Sequence, residues 1–309
     1  MTDVNTLARP QNIVRGVVLI LATVFVISIQ DVIFKLFSSA LPLWQIFSVR
    51  ALLAFPLLFA VAWWQGLHRV VLRDALRVWS MVRAFCLTMT FMAYYAAIAF
   101  LSLSVVGAAN YTAPIIVTVL SAFLIGEAVG VLGWIAVVVG FVGVVVLLQP
   151  GTDAFSLWAV LPLIGACFYA LAHITTRAKC QPVPLVTLAM SVNISMLIAG
   201  LVMSTILLVV QPDETLVRAY PNVLGGWSEI DPIEWLVLVL LATFVVVLAL
   251  MLAGAYQAAP PAIIATFEYG YLVFVAIWDF VFFAAAPTGT TLFGMAMIIA
   301  AGLMVLRRG

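Results

Sequence analysis

The sequence predicts an all-α integral membrane protein, and three observations lead there. Of its 309 residues, 66% are hydrophobic and only 8% are charged, whereas soluble domains are about 45–50% apolar and about 25% charged. Apolar runs of about 20 residues, the length that crosses a hydrocarbon core roughly 30 Å thick, recur along the chain. The two halves of the chain also resemble each other.

Polar and turn breaks divide the chain into ten apolar runs, at about 14–37, 43–65, 76–100, 103–126, 130–149, 155–178, 185–210, 233–257, 260–284 and 287–306. The first follows a polar tail and has no small-residue cleavage site, so it reads as a transmembrane helix rather than a removable signal. Leu101–Ser102 and Ala258–Pro260 are very short links, which implies antiparallel neighbours. The one long loop, 211–232, is acidic and turn-rich. Arg9, Arg15, Arg69, Arg73, Arg77, Arg177, Lys179, Arg307 and Arg308 all fall on one face of a ten-span chain. The excess of basic residues marks that face as cytoplasmic, with both termini inside.

A shift of 142 residues sets ALPLWQ (40–45) over PVPLVT (182–187) and Pro42 over Pro184. A shift of 156–158 sets VVGAANYTAPI (105–115) over AIIATFEYGY (262–271). These divide the chain into five-helix repeats, 1–150 and 151–309. Five is odd, so the second repeat enters the membrane inverted. Inverted repeats typify secondary transporters, which hold substrate near the midplane between the halves.

Several chemistries find no support. Net charge is +1, and nothing points to a nucleic-acid partner. Three cysteines, Cys86, Cys167 and Cys180, lie in or beside apolar runs and give no disulfide framework. No GxxxxGK[ST] motif is present, so the chain carries no P-loop for ATP. HExxH is absent and the only histidines are His68 and His173. No cofactor, metal site or enzymatic centre is expected.

Pro114, then FLIGE (123–127), then GWIAVVVGFVGVVVLL (133–148) resembles the drug/metabolite transporter superfamily in its ten-helix EamA form. In the second half Gly270 stands in the place of Pro114 and Ala285 in that of Glu127. With its acid-bearing ninth helix, TFEYGYLVFVAIWDF, the chain is similar to bacterial aromatic amino-acid exporters of the YddG type. That resemblance implies export of amino acids and related metabolites across the bacterial inner membrane. It also implies a pocket between helices 1, 3, 4, 6, 8 and 9.

Ionisable residues inside a membrane span are candidate functional groups. Asp31 and Lys35 in SIQDVIFK are spaced i,i+4 with the acid first, the favourable order on a helix. They read as a satisfied pair near the outer end of helix 1 or as an outer gate. The 142-residue shift maps them onto His173 and Arg177, again i,i+4, near the opposite mouth. Glu268 has no base within a turn, and it reads as a substrate or proton site or as a carboxyl hydrogen-bonded to a neighbouring helix. Arg50 and Arg83 are expected to snorkel, or to pair with Asp31, Asp279 or Glu268. Asn110 and Tyr111 are repeat mates of Thr266 and Phe267. Tyr94, Tyr95, Tyr169 and Tyr269 add rings that suit a planar or apolar cargo and an ammonium. The stripe Gly133, Ala136, Gly140, Gly143 reads as scaffold packing rather than dimerisation, so a monomer is favoured over a dimer.

The expected function is a secondary transporter exporting small metabolites, aromatic amino acids among them, by alternating access. The expected substrate-binding set is Tyr94, Tyr95, Asn110, Tyr111, Tyr169, His173, Glu268 and Tyr269. Asp31, Lys35 and Arg177 form the expected gate and pairing set. The alternatives are a multidrug or lipophilic-cation effluxer, and a channel or scaffold without alternating access.

Overall fold

The computed structural model describes residues 12–37, 41–98, 112–126, 128–148, 160–283 and 289–306. Every regular element among them is helical. Helix α1 (Ile13–Phe37) starts where Asn12 Oδ1 accepts the Arg15 N–H at 2.9 Å, as a capping residue does. The extended residues Pro42 (φ −62°, ψ 143°) and Pro184 (φ −57°, ψ 141°) precede α2 (Leu43–Trp64) and α8 (Leu185–Val210) in the same conformation. Between them lie α3 (Val71–Ala75), α4 (Val78–Ile98), α5 (Ala113–Leu124), α6 (Val131–Leu148) and α7 (Val160–Lys179).

The acidic loop folds into two short helices, α9 (Glu214–Ala219) and α10 (Pro221–Leu224). Next comes α11 (Pro232–Ala258), where the Glu234 carboxylate accepts the Asp231 N–H at 2.8 Å and closes the first turn. The expected ninth helix is divided into α12 (Pro261–Glu268) and α13 (Gly270–Phe283). At the division Leu272 N bonds Tyr269 O at 3.1 Å, an i,i+3 bond that tightens the turn locally. Gly270 suits this point, because a Cβ there would lie 3.3 Å from Leu21 of α1. The last element is α14 (Gly289–Leu306).

Among the described residues, five helices are long and apolar enough to cross a membrane: Ile13–Ile33, Leu43–Trp64, Val160–Lys179, Leu185–Val210 and Pro232–Ala258. In expected spans 3, 5, 9 and 10 the described residues give the apolar stretches Val78–Tyr94, Val131–Gly143, Pro261–Phe274 and Leu292–Ala301. Expected span 4 is described from Ala113 onward. Polarity is arranged as a bilayer requires. Val14, Val18, Leu208 and Val209 are exposed, while Thr23, Ser28, Asn193 and Glu268 are buried. Polar side chains that would be costly in lipid face protein instead.

Among the described residues, the helix pairs with the most extensive packing are α6–α14, α4–α7, α2–α8 and α1–α11. Exchanging α1, α2, α4, α5 and α6 for α7, α8, α11, α12–α13 and α14 carries these pairs into themselves or into each other. The exchange also relates α4–α8 to α2–α11 and α1–α13 to α5–α7, all of which are in contact. The two ends of the bundle are defined by direct bonds. Asn12 N donates to Ala258 O at 2.9 Å, and Lys179 lies over the Trp79 ring. This end gathers Arg77, Arg177 and Lys179. At the other end Trp44 Nε1 donates to Val223 O and Gln45 Nε2 to Ser228 O, both at 2.7 Å.

Within the small-residue stripe, Gly140 lies under the Tyr269 ring, where a Cβ would come 2.7 Å from Cε2. At Gly143 a Cβ would come 3.0 Å from Gly294 O and Met297 Cβ. Both glycines are therefore occupied by packing within the chain. Gly143→Val is expected to lower stability by about 1–3 kcal/mol through overpacking, measured by thermal unfolding in detergent. Gly133→Ala, which among the described residues meets only Val129, two residues before the helix begins, at 3.2 Å, is expected to change it far less. Equal shifts for the two variants would show that α14 does not depend on the stripe.

Candidate functional site

Tyr169, His173 and Thr176 follow at i, i+4 and i+7 on α7, so they lie along one helix face. Tyr256 lies two residues before the end of α11. The turn through Ala259, Pro260 and Pro261 reverses the chain, because Pro260 takes an extended conformation and Pro261 opens α12. Glu268, at the end of α12, is thereby returned to Tyr256 and faces α7.

The hydroxyls of Tyr169 and Tyr256 both donate to Glu268 Oε1, each at 2.7 Å. One oxygen thus joins α7, α11 and α12. Among the described residues, Oε2 accepts no hydrogen bond. The His173 ring stacks on Tyr256 with centroids 3.8 Å apart and planes at 22°, and meets Tyr169 at 4.2 Å and 60°. His173 is fully buried, and among the described residues neither ring nitrogen has a hydrogen-bond partner. Three rings and a carboxylate therefore form one cluster, roughly 10 Å along α12 from Pro261 at 1.5 Å per residue. Among the described residues no group of three metal ligands exists.

The expected pairing of His173 with Arg177 is not made. Both are nitrogen donors, and α11 engages each separately. Arg177 Nη1 donates to Gln257 O at 3.3 Å, as does Gln181 Nε2. The Gln257 amide reaches back to Cys180 O at 2.8 Å and Val183 O at 2.9 Å. This clasp closes the basic end between α7 and α11.

A second cluster lies toward the opposite end, where Asp31 accepts the Tyr271 hydroxyl. Trp278 Nε1 donates to Ser28 Oγ at 2.8 Å, and Phe25 meets Phe274 edge-on at 5.2 Å. These contacts join α1 to α13. The side chains of Lys35 and Tyr95, and Asn110 and Tyr111 entirely, lie outside the described residues. Tyr94 is half-buried on α4. Tyr269 is fully buried, with its ring against Gly140 of α6 and in one cluster with Ile298 of α14.

The arginines correct an expectation. Neither snorkels, since Arg50 is 4% exposed and Arg83 1%. Arg50 Nη2 lies 3.5 Å from Met196 Sδ, and its guanidinium stands over Phe47. Arg83 binds α7 and α8. Tyr256 and Tyr271, the partners of the two acids, were not among the expected site residues. Tyr256 could have been found from its place just before a double-proline turn that folds α12 back along α11. Tyr271 carries no comparable signal.

Residues 14–149 match the EamA-like transporter family, so the stretch from α1 to α6 is EamA-like in sequence. The riboflavin transporter of Rhizobium johnstonii is 25% identical over 199 residues, covering 63% of this chain and 59% of that protein. That of Brucella anthropi is 24% identical over 210 residues, covering 65% and 66%. A 59-residue stretch is 37% identical to the riboflavin transporter of Vibrio cholerae, covering 19% of this chain and 20% of that protein. The chain thus spans less than two thirds of each. A solved crystal structure shares the fold, with a TM-score of 0.77 at 18% identity over 95% of this chain and 99% of its own. With its apolar helices, the chain is a multi-pass membrane protein. These relatives carry riboflavin in their names, so the expected amino-acid cargo gains no support from them.

Tyr256→Phe leaves Glu268 one donor and is expected to cost about 1–3 kcal/mol. A double-mutant cycle with Glu268→Gln, read by unfolding in mixed micelles, is expected to show coupling of about 0.5–3 kcal/mol. Simple additivity would mean the bond adds nothing to stability.

Proposed function

We propose that this EamA-like chain is a secondary transporter of a planar, ring-bearing small metabolite. Its ten spans form two inverted five-helix repeats, 1–150 and 151–309, that alternate access in a bacterial inner membrane. The exchange-invariant packing and the like-shaped Pro42 and Pro184 starts support the repeat. The basic end, with α1's first turn, is the cytoplasmic end, and both termini lie on that side.

One observation carries the cargo reading. Tyr169 and Tyr256 hold Oε1 of Glu268, with the His173 ring packed against both tyrosines, and Oε2, which accepts no bond among the described residues, is left to accept a cargo N–H or O–H. Rings favour offset-stacked or edge-on partners, and a buried carboxylate rewards a donor in low dielectric. The flavin ring system is planar and presents an imide N–H at its edge, so it meets both requirements. The names of the relatives point to the same class. An aromatic amino acid is the second reading, favoured by a carboxylate flanked by tyrosines, which suits an ammonium.

Asp31 and Tyr271 at one mouth, and Arg177 with Gln257 at the other, are the groups that open and close access. Export as the direction rests on the family resemblance.

Proteoliposomes loaded with unlabelled riboflavin are expected to accelerate uptake of labelled riboflavin saturably, and Glu268→Gln to reduce that rate on the order of 10-fold or more. Counterflow with tryptophan but not riboflavin selects the second reading. Absence of saturable counterflow with either removes alternating access in favour of a channel or scaffold. Lys35→Met is expected to lower transport more than surface expression, whereas an expression defect alone would make the Asp31–Lys35 segment structural.

A further inference from the structure

Arg83 is 1% exposed on α4. Its Nε donates to Thr176 Oγ1 at 2.7 Å and its Nη1 to Leu188 O at 3.4 Å. Thr176 spends its own proton on Ala172 O at 2.8 Å, so its oxygen faces Arg83 as an acceptor. Both anchors are neutral. Among the described residues no carboxylate pairs with this guanidinium, and Nη2 has no partner. His173, one turn earlier on the same α7 face, is fully buried with both ring nitrogens unpartnered.

Buried polar atoms are paired in roughly 90% or more of cases, and a buried charge is costly without a counter-ion. Here unpaired atoms of two nitrogen donors, His173 on α7 and Arg83 reaching Thr176 from α4, lie beside one face of α7. The neutral anchors hold the guanidinium in place but leave its charge unbalanced. A planar fork with a free arm matches a carboxylate or a phosphate. Glu268 is bound at Tyr169 and Arg83 at Thr176, seven residues on, roughly 10 Å along the axis at 1.5 Å per residue. A molecule that meets both has a ring at one end and an anionic tail at the other.

We propose that Arg83 and His173 form a second subsite that binds an anionic oxygen group, a carboxylate or phosphate, carried on a tail of the ring-bearing cargo. This rests on the ring site at Glu268 proposed above. His173 is stacked on Tyr256 here, and the subsite meets cargo when the α7–α11 clasp at Gln257 opens.

The full chain in nanodiscs is titrated with riboflavin and with flavin mononucleotide, which adds a phosphate to the same ring and tail, and flavin fluorescence is read. Flavin mononucleotide is expected to bind tighter by on the order of 10-fold. Arg83→Gln is expected to bring the ratio to about 1, and Arg83→Lys, which keeps the charge without the fork, to retain part of it. Inorganic phosphate is expected to compete with flavin mononucleotide and not with riboflavin. If Arg83→Gln does not fold, the wild-type ratio and the phosphate competition decide. A wild-type ratio near 1, an unchanged ratio in folded Arg83→Gln, or phosphate binding without any preference for the phosphorylated flavin overturns the subsite. Failure of both flavins to bind overturns the ring site and this subsite together, whereas binding of both with equal affinity overturns the subsite alone.

Discussion

A carboxylate oxygen shared by two tyrosine hydroxyls is the constraint on which the interior depends. Glu268 is buried to 7% exposure in a bundle whose outer face is apolar, so protein groups take over much of its solvation. Tyr169 and Tyr256 supply that solvation from two other helices. In low dielectric such bonds are strong, and their loss leaves a costly orphan. The same atoms that stabilise the acid therefore fix the relative positions of α7, α11 and α12. His173 then fills the angle between the two tyrosine rings.

The rest of the molecule surrounds this cluster with paired supports. Near one end, Gln257 ties α11 to the α7–α8 turn through two backbone carbonyls, while Arg177 and Gln181 use its own carbonyl. Toward the other end, Asp31 and Ser28 tie α1 to α13 through Tyr271 and Trp278. The α6–α14 pair, with glycine against backbone at Gly143, stands apart from both. Close small-residue contact suits a rigid support. Polar contacts that can exchange partners suit parts that move.

Helices of this kind are readable because hydrocarbon imposes one rule on each run. A segment long enough to cross must be apolar almost throughout. The runs expected at 43–65, 185–210 and 233–257 agree with Leu43–Trp64, Leu185–Val210 and Pro232–Ala258 to within a residue. Helix azimuth is a different matter. Hydrophobic residues surround these helices on all sides, so no amphipathic stripe announces which face is inward. Arg83 therefore read as a snorkelling side chain, although α4 turns it toward Thr176 and Leu188. His173 and Arg177 read as a pair because their spacing is i,i+4, yet each bonds or stacks against α11. The break at Tyr269 was equally hidden, since Gly270 and the approach of Leu21 become meaningful only when α1 is in place.

The sequence by itself determined that this is a helical membrane protein, where several of its apolar helices begin and end, and which ionisable side chains fall within them. Composition and local order suffice for these, because the cost of polar groups in lipid acts on each residue separately. Tertiary structure alone decided that Glu268 belongs to Tyr169 and Tyr256, that Asp31 belongs to Tyr271, and that Arg83 is enclosed. Those outcomes depend on the rotation and register of helices up to 240 residues apart in the chain. They follow from packing between faces, a property of pairs of helices that no single span encodes.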